Sequence, residues 1–173
     1  MSTRIQFLQD QFQQSRKVLN SFLNQVPDEK WFVVAGQPES NIAWQVGHLV
    51  IATYFHGIGL IAGNENCILD KLSCNIYRKH CVGLGSRERV LPKGLIDPAQ
   101  LRNELVMVQT ACDQKLLALS DELLDLAPEP SHLNHPIAAT KYEVLSWMFK
   151  HDAWHCAEME LIKLNLGLGF KWQ

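Results

Sequence analysis

Long basic runs are absent from this 173-residue chain, whose most basic stretch is only Arg78-Lys79-His80. With a net charge of −2 and a pI near 6.4, it lacks the electrostatic footprint of a nucleic-acid binder. The first residues, Met1-Ser2-Thr3-Arg4-Ile5-Gln6-Phe7, contain no apolar core of a secretory signal. The longest apolar stretch, Ile42 to Ala62, is interrupted by Gln45, His48, Thr53 and His56. That pattern predicts a buried helix rather than a membrane span. Five cysteines (Cys67, Cys74, Cys81, Cys112, Cys156) form an odd set without a CxxC pair. They are expected to be free thiols in a reducing cytoplasm. Internal repeats, low-complexity tracts and alternating strand patterns are also missing, which leaves an ordinary single globular domain over 1–173, 47% hydrophobic and 20% charged.

What the chain does have is helical period. Thr3-x-x-Gln6 is a capping-box pattern, and Ile5, Leu8, Phe12, Leu19, Phe22, Leu23 and Val26 follow at spacings that put them on one side of a helix. Pro27 ends that helix, which is expected over roughly residues 3–26. Residues 27–31 suggest a short helical piece, followed by the loop Gly36-Gln37-Pro38-Glu39. Ser40 or Asn41 can cap a second helix running to about Gly63. Asp97-Pro98-Ala99-Gln100 supplies an N-cap and a proline at the first helical position, predicting a third helix over about 98–119. Leu123, Leu124 and Leu126 suggest an extra turn. Thr140-x-x-Glu143 starts a fourth helix that lasts to about Asn165, with Gly167 as its stop.

Residues 64–96 show no sustained helical period and are too long for an ordinary connection, so they are expected to be a functional segment or a crossover. Cys67, Cys74 and Cys81 recur there at intervals of seven, a spacing that one helix would align. Structural zinc sites use closer cysteine pairs, so no metal site is expected there. The tail Leu168-Gly169-Phe170-Lys171-Trp172-Gln173 is apolar enough to pack on the domain or a partner. Four long amphipathic segments predict an all-α four-helix bundle with a long connection between helices two and three.

The chemistry concentrates in the fourth helix. His151 and His155 are four residues apart, which stacks both imidazoles on one helix face, one turn apart. Two imidazoles so placed can share a divalent cation. Alone, such a pair is more often one core histidine and one solvated histidine. On the second helix His48 lies in the line Asn41, Trp44, His48, Ala52, Phe55 and can meet that face if the two helices are neighbours. His56 is about 80° round the helix from His48 and is expected on a different face. His132 and His135 fall in a loop, solvated or at a pocket rim. Trp44, Trp147, Trp154 and Tyr54 are either pocket walls or plain core. Three imidazoles with a remaining open position form the ligand pattern of a catalytic rather than a closed structural site.

Trp44-x-x-Gly47-His48-Leu49, the long middle connection, His151-x-x-x-His155 and Leu164-x-x-Gly167 together resemble the DinB-like (YfiT-like) metal-binding four-helix bundles. The resemblance runs from the first helix to Gly167. It implies that His48, His151 and His155 bind one divalent metal, nickel or zinc, and that the chain forms a homodimer. Relatives of this kind include enzymes that activate low-molecular-weight thiols. The resemblance therefore implies a metal-dependent thiol S-transferase or hydrolase acting on a small molecule, with a low-molecular-weight thiol as a further cofactor. The alternative is a non-catalytic metal-binding or stress-response interaction protein. Neither nucleic acid nor a membrane is expected as a partner.

One departure stands out. Where the pattern commonly continues as His-x-Gly-Gln, this chain has His155-Cys156-Ala157-Glu158. Ala157 keeps a small residue. Glu158, one turn after His155, is the candidate catalytic residue, and its open roles are fourth ligand, acceptor orienting an imidazole, general base, or surface carboxylate. Asp152, about 100° off the histidine face, is expected at the surface or between helices, and Cys156 is not expected to be a ligand.

Overall fold

Thr3, Asn41, Asp97 and Thr140 each begin a helix by offering a side-chain oxygen to the backbone amide three residues on, satisfying a donor that the first turn leaves unpaired. The computed structural model describes residues 3–35, 39–82, 89–131 and 135–169. Its elements are α1 (Arg4–Leu23), α2 (Ile42–Tyr54), α3 (Leu60–Ala62), α4 (Asn66–Leu69), α5 (Cys74–His80), α6 (Pro98–Leu117) and α7 (Lys141–Asn165). A π-helical turn, Phe55–Gly59, joins α2 to α3, so Ile42–Ala62 is one helical run. The bundle is all-α among the described residues, where β pairing is confined to the isolated bridges Ala35–Ser40 and Ser40–Arg89.

The helix starts fall where their caps place them, and the ends differ by a few residues. α1 stops at Leu23, not Val26, because Gln25 and Val26 turn back with i to i−3 hydrogen bonds ahead of Pro27. At the start of α7 both halves of the capping box form, Thr140 Oγ1 accepting from the Glu143 amide and Glu143 Oε2 from the Thr140 amide, each at 3.2 Å. Gly167, at φ +73°, closes that helix. The two short helical pieces expected at 27–31 and after Leu119 are 3₁₀ turns at Asp28–Lys30 and Leu123–Asp125.

α2 packs against α6 and α7, and α1 against α7 and α6, which closes the four long helices around one core. Leu8, Phe12, Leu19, Ile42, Leu49, Leu105, Val108, Val144 and Leu145 are all essentially sealed from solvent in it. Most of the apolar 42–62 run is likewise buried against its neighbours, as its polar interruptions suggested. Asp152 lies between helices: it is 4% exposed, and burial pushes its carboxyl up to about 7 against the opposing charge of Arg16 on α1.

The 64–96 connection contains two short helices, which its sequence period did not reveal. The second of them, α5, is held down by a buried carboxylate on α6. Glu104 accepts from the Ser73 amide (2.8 Å), the Ser73 hydroxyl (2.7 Å) and the Tyr77 hydroxyl (2.7 Å). The seven-residue cysteine interval does not line up on one helix. Cys67 is exposed in α4, Cys74 half-buried at the start of α5, and Cys81 buried just past its end. Gly36 to Pro38, Gly83, Gly85, His132 and the tail from Phe170 lie outside the described residues.

Two glycines set how closely the helices approach. A Cβ on Gly47 would sit 2.8 Å from Cys81 Sγ, and one on Gly57 only 2.4 Å from Cys112 Sγ and 3.1 Å from Met148 Sδ. Gly57→Ala is therefore expected to destabilise by about 1–3 kcal/mol through overpacking, although alanine is the better helix former. Urea denaturation of Gly57→Ala and of Gly57→Ala/Cys112→Ala measures it. The double variant should recover much of the loss, and an unchanged midpoint in the single variant would refute the close-packing argument.

Candidate metal centre

His48 projects from α2, and His151 and His155 from α7, the two helices whose adjacency the three-histidine reading required. His151 Nε2 lies 3.2 Å from His48 Nε2 and 3.1 Å from His155 Nε2. All three nitrogens fall within 4.8 Å of one another. With metal–nitrogen bonds near 2.05 Å, ligand nitrogens stand about 3.3 Å apart in a tetrahedral site and about 2.9 Å in an octahedral one. The two spacings at His151 lie between those values.

The outer nitrogens decide whether the inner ones can accept a cation. His48 Nδ1 donates to the Cys81 carbonyl at 2.7 Å, which puts the proton on Nδ1 and leaves Nε2 as a lone pair. His155 Nδ1 donates to Gln45 Oε1 at 2.5 Å, with Glu158 Oε2 3.3 Å away, and again leaves Nε2 bare. Two lone pairs thus converge on His151 Nε2, which can supply a proton to only one of them. His151 Nδ1 is itself buried without a partner among the described residues. Such a set is poorly satisfied by its own hydrogen bonds and well matched to a cation at its focus. The residues fit a divalent metal.

Electrostatics point the same way. Burial, reinforced by the neighbouring His155, pushes the His48 imidazole down to about 4. Burial and the adjacent histidines push His151 down to about 2. Both rings are therefore neutral near pH 7, the form a metal requires.

A polar frame braces the imidazoles. Gln45 is fully buried; its Nε2 donates to Ser40 Oγ at 3.0 Å, and the Ser40 hydroxyl donates to the Arg89 carbonyl at 2.7 Å. The Arg89 guanidinium forms a two-pronged ion pair with Glu158 and lies 4.7 Å over the Trp44 ring. Trp44 stacks on His48, its ring centroid 5.1 Å away and the planes 5° apart, and its Nε1 donates to the His80 carbonyl at 2.7 Å. One arginine thus supports His155 through Glu158 and His48 through Trp44. Burial alone would raise the Glu158 carboxyl, but the hydrogen bonds from His155 and Arg89 outweigh it and hold the group down at about 2.

A model of the DinB superfamily matches residues 11–159. The chain belongs to the DinB superfamily. Among curated proteins and solved structures, none matches it. In this DinB-superfamily chain, the glutamate at 158 is accompanied by Arg89, which supplies the positive charge that a half-buried carboxylate needs and an amide would not.

Sequence reasoning missed Gln45, Arg89, the Cys81 carbonyl and His56. Gln45 had a readable signal, a polar residue inside an apolar helix three positions before His48. Arg89 had none, because its contacts depend on how the crossover returns. His56 packs beside the centre, its ring 5.7 Å from that of His151. His135 reaches His56 at 5.2 Å and Trp147 at 6.3 Å. Of the other aromatic residues, Tyr54 is buried and accepts from the Glu65 amide, while Trp154 is 60% exposed, away from the centre.

Arg89→Met should destabilise by about 1–3 kcal/mol by leaving a semi-buried carboxylate unpaired. Glu158→Gln should relieve part of that cost, since a glutamine can still accept from His155. A double-mutant cycle by chemical denaturation, run with chelator present, tests this; strictly additive losses would show that the two residues are not coupled.

Proposed function

We propose that this DinB-superfamily protein is a metalloenzyme in which His48, His151 and His155 hold one divalent cation, nickel or zinc, for activation of a low-molecular-weight thiol or water. The observation that carries the reading is the convergence of three Nε2 nitrogens, in two of whose rings Nδ1 donates to an acceptor on the opposite side. An all-nitrogen donor set suits zinc, nickel and their neighbours better than magnesium or calcium. Three protein ligands leave coordination positions for a reactant, as catalytic sites do. A divalent cation in such a site lowers the pKa of coordinated water or thiol toward neutrality.

The chain's own residues divide the remaining work. The Cys81 carbonyl and Gln45 fix the tautomers of His48 and His155, and Trp44 holds the His48 ring plane. Glu158 has both carboxylate oxygens on Arg89 and approaches the outer nitrogen of His155, which favours an orienting role over that of a general base. Burial pushes the Cys81, Cys112 and Cys156 thiols up to about 12. None of these three is a ready nucleophile at neutral pH, which favours a reactant thiol or water from solution.

Protein purified without a chelating tag is expected to contain one equivalent of divalent metal, measured by plasma mass spectrometry. His48→Ala and His151→Ala should each abolish stoichiometric binding. Chelation should lower the melting temperature of the wild type, since metal at 100 times its Kd contributes about 2.7 kcal/mol to stability. Stoichiometric metal retained by both variants would rule out this centre. Turnover of epoxides or chloro-dinitrobenzene with added thiols, lost on chelation, tests the chemistry; a metal-loaded protein inert to these and to hydrolysable substrates would leave a non-catalytic metal protein.

A further inference from the structure

Between the start of α1, the first half of α7 and the segment that leads into α7 lies a cavity of about 440 Å³. Phe7, Ile137, Tyr142, Trp147 and Phe149 give it an apolar, mostly aromatic lining, and none of the three candidate metal ligands is part of it. Phe7 is 47% and Ile137 66% exposed, so the lining carries apolar surface that a ligand can take out of water. A volume of this order, an apolar wall and a few polar groups are what small-molecule sites have in common.

The polar side chains of the lining are Glu143, Ser146 and Lys150. Ser146 and Lys150 are four residues apart on α7, which puts them on one face, one turn apart. Lys150 is exposed, and its ammonium stands 5.9 Å from the centre of the Phe149 ring. No carboxylate pairs with it among the described residues, and the Ser146 hydroxyl likewise has no hydrogen-bond partner among them. Glu143 does not neutralise the lysine. Its Oε2 accepts from the Ala139 and Thr140 amides at 2.6 and 3.2 Å, where the positive end of the helix offsets its charge. Two donors, one of them cationic, therefore accompany an aromatic lining.

We infer that this cavity is a binding site for a small aromatic carboxylate, with Lys150 and Ser146 holding the anion and the aromatic lining holding the ring. The ring gains apolar and edge or face contacts with aromatic side chains, and the carboxylate gains charge-assisted hydrogen bonds. A cationic ligand would meet Lys150 as a like charge. Trp147 is the wall nearest the metal centre, its ring centroid 6.2 Å from that of His151, so a bound ring lies one side chain away from the histidines. The site is built without them and does not rest on the metal reading.

The experiment is calorimetric titration with naphthoate, on tag-free protein as purified and again after chelation. The variants are Lys150→Gln, Lys150→Arg and Ile137→Asp, all at exposed positions. Wild type is expected to bind saturably. Lys150→Gln, which removes the charge, and Ile137→Asp, which puts a like charge beside the ligand, should each bind about tenfold more weakly. Lys150→Arg keeps the charge and should retain most of the affinity. Naphthylmethylamine, the same ring with the opposite charge, should bind wild type about tenfold more weakly than naphthoate. Chelation should leave the naphthoate affinity unchanged. Absence of saturable binding in wild type, or equal affinity in wild type, Lys150→Gln and Ile137→Asp, overturns the inference. Binding that chelation abolishes and both variants leave untouched would put the carboxylate on the metal instead and would overturn it too.

Discussion

A neutral imidazole has one proton and two nitrogens, and in a buried site the protein must decide which nitrogen carries it. In this fold the decision is made behind the site. The Cys81 carbonyl and the Gln45 side chain take the outer protons of His48 and His155, and the inner lone pairs follow. Without those two acceptors the same three rings could satisfy one another by hydrogen bonding, and their spacing would say little about a metal. The centre therefore depends as much on a main-chain carbonyl and an amide as on the histidines.

Delivering that carbonyl is the task of the long connection. Gly47 has no side chain where α2 meets Cys81 and Tyr77, so the end of α5 can come within hydrogen-bonding distance of His48. Glu104 on α6 fastens Ser73 and Tyr77 from the other side. Past α5 the chain returns to pair Arg89 with Ser40 and place its guanidinium between Glu158 and Trp44. A segment without a helical repeat thus supplies acceptors, cation and frame to helices that carry the ligands. Its length reflects the distance it must cross and the number of points at which it is tied down.

Much of the bundle was legible in the residues. Caps at Thr3, Asn41, Asp97 and Thr140 are local interactions, and local chemistry predicts them. The pairing of His151 with His155 is also local, fixed by helix pitch. His48 was legible one step less directly, as a polar residue in an apolar stripe that needed a partner. The misses have a common cause. The approach of His56 to His151 depends on how the second and last helices pack. Arg89, the Cys81 carbonyl and the two short helices α4 and α5 depend on contacts with residues distant in sequence, which periodicity does not encode.

The sequence by itself determined where helices begin, which faces of them are apolar, and that two imidazoles share one face of the last helix. These follow from hydrogen bonds and side-chain spacing within a few residues. Only the tertiary structure decided which nitrogens carry protons, that Glu158 meets Arg89, and that His56 and His135 close a ring with Trp147 and His151. Each of those is set by burial and by a partner tens of residues away, and neither exists until the helices are packed.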